Sequence, residues 1–247
     1  MLENKVALIT GASSGIGYAT SVALSKAGAH VAAGARRVDR LKALETQLGG
    51  SKGDDILIYS LDVTNKANCD SFVEAAVKKW GTVDILVNNA GLMPLSFFKK
   101  NKFDEWEQMI NVNLKGVIYC TSAVIPHMLQ KNSGHIVNMS SVAGRVVFAG
   151  GTVYCATKHA ITAFSEGLRI EFSPRSRIRV TCIEPGVVST ELLETITDES
   201  MTRFVEASKK MESLQARNIA DAIMYALEAP PHVNVNEILL RPTQQLV

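Results

Sequence analysis

Ser141, Tyr154 and Lys158 stand in one stretch, SVAGRVVFAGGTVYCATK, with thirteen residues from serine to tyrosine and four from tyrosine to lysine. On a helix of about 3.6 residues per turn, positions i and i+4 share a face, so Lys158 would hold its ammonium beside the Tyr154 ring. A free tyrosine titrates near pH ~10, too high for easy proton exchange around neutrality. A neighbouring cation favours the phenolate and lowers that value, which makes the pair a candidate general acid/base. The Ser141 hydroxyl, arriving from a separate strand end, could hydrogen-bond the same substrate oxygen. Taken alone, the stretch reads first as a helix start with a half-buried tyrosine and a solvated lysine. Its chemistry depends on what the rest of the chain brings to it.

The first such element is the loop Thr10–Gly17, TGASSGIG, which follows an apolar run and opens a helical pattern. Gly11, Gly15 and Gly17 permit a tight turn and close approach of backbone to a pyrophosphate. Ser13, Ser14 and Ile16 fill the remaining positions ahead of a helix N-terminus, whose unpaired N–H groups and dipole attract phosphate. The spacing is G-x-x-x-G-x-G rather than the commoner G-x-G-x-x-G. A plain glycine turn is the alternative, and the strand–turn–helix setting favours a nucleotide. After the second run, HVAAGA, the chain places Arg36-Arg37 where many NAD binders carry an acidic residue. A guanidinium binds a 2′-phosphate through two charge-assisted hydrogen bonds. Arg36 is the preferred ligand for it. Arg37 is a second cofactor contact that, with Arg40, also suits a solvated helix face. Asp62 and Val63, ending the third run, could meet the adenine. Asn89, Ala90 and Gly91, ending the fourth, either pass close to the ribose or hold the central strands.

These loops need a scaffold with many strand ends on one side. Seven short apolar runs (6–10, 30–35, 55–62, 84–90, 134–140, 178–185 and 236–242) alternate with helical patterns over 15–27, 37–48, 66–79, 103–130, 152–172 and 216–228. Runs that are apolar at successive positions suit parallel strands buried on both faces. Alternation with helices implies right-handed βαβ units. The expected fold is therefore α/β, a Rossmann-type doubly wound parallel sheet of about seven strands with helices on both faces, in one domain over 1–247. Lys plus Arg number 26 and Asp plus Glu 24. That balance gives no electrostatic case for nucleic acid as a partner. No apolar run approaches the roughly 18 residues of a membrane span. The four scattered cysteines form no C-x-x-C pair, so no metal is expected and a reducing, cytoplasmic setting is. The start, MLENKVALIT, enters a strand pattern without a signal-like leader. Cys155, next to Tyr154, reads as a buried small residue before it reads as a reactive thiol.

TGASSGIG, NNAG, Asn113 in NVNLKG, Ser141 in SSVAG, Tyr154-x-x-x-Lys158 and PGVVST occur in the order and spacing of the short-chain dehydrogenases/reductases. The chain resembles their compact single-domain branch from residue 5 to about 242. The ARR turn, SSVAGRV and NEILLRPT resemble the NADP-dependent subgroup of clavulanate dehydrogenase and broad-range 3-hydroxy-acid dehydrogenases. That resemblance implies an NADP(H)-dependent oxidoreductase interconverting a carbonyl and an alcohol. Tyr154 would be its general acid/base. Lys158 would lower the tyrosine pKa and bind the nicotinamide ribose, and Ser141, with Tyr154, would bind and polarise the substrate carbonyl. Asn113 would distort the helix 103–130 and hold a water serving Lys158. The glycine-loop residues would cradle the phosphates, and Pro185, Gly186, Val188 and Thr190 would wrap the nicotinamide. The family implies a homodimer or homotetramer. Helices 103–130 and 152–172 are apolar on more than one face, which suits burial against a second subunit.

Residues 188–214 are expected to form a substrate lid. Met93, Leu95, Val146, Phe148 and Leu192 would make the pocket largely apolar. Arg145 either binds a substrate carboxylate or faces solvent or a partner subunit. A non-catalytic NADP(H)-binding sensor or scaffold of the same fold is the alternative function. The serine–tyrosine–lysine set argues against it.

Overall fold

The seven apolar runs become strands lying side by side in one direction. The computed structural model of the chain describes residues 2–49 and 55–246. Its strands are β1 (Val6–Thr10), β2 (His30–Ala35), β3 (Ile56–Ser60), β4 (Ile85–Asn88), β5 (Gly134–Met139), β6 (Ile178–Pro185) and, after two short ones, β9 (Glu237–Leu240). They pair in the order β3-β2-β1-β4-β5-β6-β9, every neighbour parallel. The order reverses between β1 and β4, so the loops after those two strands diverge and leave a crevice at their carboxyl ends.

Helices cover both faces. They are α1 (Gly15–Lys26), α2 (Val38–Gly49), α3 (Lys66–Trp80), α4 (Phe103–Ile110), α5 (Gly116–Gln130), α6 (Thr152–Ser176), α7 (Thr202–Lys210) and α8 (Ala216–Glu228). Alternate residues of β1 divide between the two apolar layers: Val6 and Leu8 join the side covered by α3, α5 and α6, while Ala7 and Ile9 join the side covered by α1, α2 and α8. Burial on both sides explains the unbroken apolar reading of these strands.

Two departures from the sequence reading matter. The expected helix 103–130 is α4 and α5 joined by a π-helical turn, Asn111–Lys115. The segment 190–213 is bracketed by the two-residue strands β7 (Val188–Ser189) and β8 (Leu214–Gln215), which pair in parallel. Between them lie two 3₁₀ turns, Glu191–Thr195 and Glu199–Met201, and then α7. Among the described residues no helix is long and apolar enough to cross a membrane, and no group of His, Cys, Asp or Glu is arranged to hold a metal ion. All four cysteines are buried as free thiols.

Candidate active site

A cleft of about 1610 Å³ opens at the carboxyl ends of the strands. Its walls include Gly11, Ser13, Ser14, Gly15 and Ile16 from the first loop, Arg36 and Arg37 after β2, and Asp62 and Val63 after β3. Asn89, Ala90 and Gly91 follow from β4, Ser141, Tyr154 and Lys158 from the β5–α6 region, and Pro185, Gly186, Val188 and Thr190 from β6 onward. Two expected contacts do not line it. Gly17 lies beneath the loop, where a Cβ would stand 2.5 Å from the Gly11 carbonyl oxygen and from the Asn89 amide. Asn113 is buried behind Leu92, accepting from the Leu92 N–H at 2.9 Å and donating to its carbonyl at 2.9 Å. Its amide thus locks the chain following Gly91 from within the π turn.

The glycine loop is built to leave donors free. Gly11 and Gly15 have φ of 68° and 55°, in the left-handed region that glycine tolerates. Asn89 donates to the Thr10 and Gly11 carbonyls at 2.9 and 3.2 Å, and Thr10 Oγ1 accepts from the Asn89 and Ala90 N–H groups. Asn89 therefore serves the loop's own backbone. Ser14 stands at the N-cap of α1 but makes no capping hydrogen bond, and the first turn carries no acid. The helix thus presents its N–H groups and dipole to the cleft, the arrangement that receives a phosphate. Ser14 Oγ instead accepts from Arg37 at 2.7 Å, and Ser13 Oγ accepts from Arg37 Nε at 3.2 Å. The side chain of Arg36, the arginine favoured from sequence, makes no hydrogen bond or ion pair among the described residues, while its carbonyl accepts from the Val38 N–H at 3.1 Å. Asp62 is held low in pKa chiefly by the Thr64 N–H, with the charge of Arg36 adding to it.

On the opposite wall, Ser141 Oγ accepts from the Ala143 N–H at 3.1 Å and donates to the Pro185 carbonyl at 3.3 Å. Neighbouring Ser140 is spent on α6, donating to the Lys158 carbonyl at 2.9 Å. Tyr154 and Lys158 are both buried. Lys158 Nζ lies 5.7 Å from the centre of the Tyr154 ring and donates to the Met139 carbonyl at 2.8 Å. Burial pushes the Tyr154 phenol up to about 12, with the Ser141 hydroxyl pulling the other way. The lysine does not depress the phenol here as its i+4 spacing led us to expect, because its ammonium is turned to Met139. Burial also brings Lys158 down to about 8.

That depression has a stability consequence. Between pH 8 and 10.5 the unfolded lysine holds a proton that the folded one has lost, so stability rises with pH across that window. Below pH 8 the folded protein carries the full desolvation penalty. Lys158→Met is accordingly expected to raise stability at pH 7 by on the order of 2 kcal/mol, or Tm by roughly 4–8 °C. It should also flatten the rise between pH 8 and 10.5 in thermal denaturation. A lower Tm for the variant would contradict the reading.

The remaining walls correct the expected pocket. Met93, Val146, Phe148 and Leu192 line it, whereas Leu95 is buried in the core. Phe204 of α7 stacks on Phe148 with centroids 5.6 Å apart. Glu105, Glu194, Thr195, Thr197 and Arg203 add polar groups that the motif-based reading missed. Arg145 does not line the cleft and is partly exposed, in keeping with the solvent-facing alternative, but its guanidinium is engaged in ion pairs. It points away from the cleft, with Nε 2.8 Å from the fully buried Glu184, and also pairs with Glu237.

A model of the family described as short chain dehydrogenase matches residues 5–201. The chain belongs to the short-chain dehydrogenases. It is 47% identical over 245 residues to an uncharacterized oxidoreductase of Staphylococcus saprophyticus, covering 99% of this chain and 98% of that one. It is 42% identical over 245 residues to a glycine betaine reductase of Emericella nidulans, covering 99% of this chain and 19% of that longer protein. The solved structure of the closed form of a serine dehydrogenase complexed with NADP+ matches with a TM-score of 0.90 at 36% identity, over 97% of this chain and 96% of that one. This short-chain dehydrogenase is thus an oxidoreductase of a nicotinamide-dependent family, with an NADP-bound structural neighbour.

Proposed function

We propose that the protein is an NADP(H)-dependent oxidoreductase interconverting a ketone or aldehyde and the corresponding alcohol. The observation that carries the reading is the meeting, in one cleft, of Ser141, Tyr154 and Lys158 with an uncapped helix N-terminus and an arginine turn. The α1 N-terminus and glycine loop would hold the pyrophosphate, Arg36 and Arg37 the 2′-phosphate, and Pro185, Gly186, Val188 and Thr190 the nicotinamide end. The bound cofactor supplies or accepts the hydride. Tyr154 gives its proton to the carbonyl oxygen, and the burial that raises its pKa keeps the phenol protonated through neutral pH for that purpose. Ser141 donates a hydrogen bond to the same oxygen. Lys158 is the cation able to support the phenolate formed when the proton leaves, provided its ammonium turns from Met139.

The segment 190–213 acts as the lid over the substrate end, with Phe204 packed on Phe148. Exposed Ile110, Ile118 and Ile170 on α4, α5 and α6 support burial of these helices against a second subunit as a homodimer or homotetramer. Buried free thiols suit a reducing compartment such as the cytoplasm.

The test is oxidation of NADPH and of NADH over ketones, aldehydes and keto acids, with serine and glycine betaine, named for relatives, added in the appropriate direction. Turnover of at least one carbonyl class, faster with NADPH, is expected. No turnover with any compound would remove the catalytic reading, and faster turnover with NADH would remove the cofactor assignment.

A further inference from the structure

Arg37 does more than line the cofactor end of the cleft. Its guanidinium reaches the hydroxyls of Ser13 and Ser14 on the glycine loop and, through the remaining nitrogen, Glu191 Oε2 at 2.7 Å. Arg40, one turn along α2, pairs with the other Glu191 oxygen. Glu191 follows Thr190 directly and is the first residue of the 3₁₀ turn that begins the lid. The two guanidinium groups hold its carboxyl down at about 2, so it is anionic at any working pH. Two guanidinium groups and two hydroxyls at the end of the glycine loop are the donor set for a phosphate monoester. A carboxylate from the protein itself already sits on the cationic part of it.

We propose that Glu191 is a cofactor-specificity residue, an internal stand-in for the 2′-phosphate that occupies Arg37 and Arg40 until NADP(H) displaces it. This rests on the NADP(H) reading given above. A phosphate monoester brings up to two negative charges to the same guanidinium groups. It cannot share them with a carboxylate without like-charge repulsion, so binding exchanges one anion for the other. NAD(H), with a hydroxyl at that position, has nothing to exchange and leaves the pair closed. Glu191 therefore lowers affinity for the phosphorylated cofactor selectively. Its displacement also releases the first turn of the lid from α2, while the β7–β8 pairing still holds the base of the segment.

The experiment compares adenosine 2′,5′-bisphosphate with ADP by titration calorimetry, so that no turnover is involved. Glu191→Gln removes the charge from a side chain that is 37% exposed, so folding is not at issue. It should tighten the bisphosphate roughly 5- to 20-fold, the scale of two partly exposed ion pairs, and leave ADP within about 2-fold. Amide hydrogen exchange over residues 191–201 should rise in wild type when the bisphosphate binds, and should already be raised in the ligand-free variant. Unchanged or weaker bisphosphate binding by Glu191→Gln, or equal tightening of ADP, would overturn the proposal. Arg37→Gln separates the two levels. It should weaken the bisphosphate relative to ADP; if it does not, Arg37 is no 2′-phosphate ligand and the role of Glu191 falls. If Arg36→Gln combined with Arg37→Gln also leaves the bisphosphate unweakened relative to ADP, the NADP(H) reading itself fails. If Arg37→Gln weakens binding but Glu191→Gln does nothing, only the role of Glu191 is lost.

Discussion

Tyr154→Phe is expected to lower kcat by about 10²- to 10⁴-fold while leaving cofactor affinity and Tm close to wild type. The ring is buried and the substitution keeps it, so packing against the cleft wall survives. What disappears is a hydroxyl that desolvation holds protonated and that the Ser141 hydroxyl faces. Losing one such hydrogen bond alters stability by only about 1 kcal/mol. The loss of rate should be shared by kcat and kcat/KM, because on the proposed function the missing contact would be made to the oxygen that changes charge in the transition state. Steady-state kinetics on any substrate found in the cofactor screen, with nicotinamide fluorescence to follow binding, separates the two effects. Wild-type rates in the variant would mean that another group moves the proton.

The second large effect concerns stability, and Arg145→Met produces it. Glu184 has no exposed surface, and its carboxylate accepts from Arg145 Nε at 2.8 and 2.9 Å, with Thr162 Oγ1 at 3.2 Å. Removing the guanidinium strands that charge. Breaking a buried pair from one side costs about 3–5 kcal/mol, far more than a surface pair is worth. The arginine is itself 37% exposed, so the lower end applies, and Tm should fall by roughly 6–12 °C. Activity should fall as well, because the Arg145 N–H closes the turn after Ser141 onto the Val142 carbonyl and the side chain ties that turn to β6. Adding Glu184→Gln to Arg145→Met should recover more than half of the lost stability, since the stranded charge is gone. A single variant that melts within about 2 °C of wild type, or a double variant less stable than the single, would show that the pair does not anchor the Ser141 turn.

The sheet was legible because parallel strands covered on both faces leave unbroken apolar runs bounded by turn residues, and because each helix keeps its own period. The break in the helix 103–130 was expected from Asn113, but not its form. A π turn has no composition of its own, and Gly116 after it is fixed by Val63, whose Cγ2 would lie 2.8 Å from a Cβ there. Single charges were the least legible. Arg145 and Glu184 are 39 positions apart, and Arg37 and Glu191 154 apart. From sequence each resembles a solvated face or a substrate contact, since only the fold brings the partner. The Tyr154–Lys158 pair shows the same limit from the other side. Spacing placed both on one face of α6, but the carbonyl of Met139 decides where the ammonium points.

The pairing of Val188 with Leu214 and of Ser189 with Gln215 gives the segment between them the character of an exchangeable cassette. Its ends leave and rejoin the framework at one point, so the chain between them can lengthen with only a slow growth in closure entropy. The sheet, the glycine loop and the Ser141–Lys158 stretch need not shift when it does. On the proposed function, such a framework would carry the same proton and hydride chemistry to different carbonyl compounds chiefly through changes in residues 190–213.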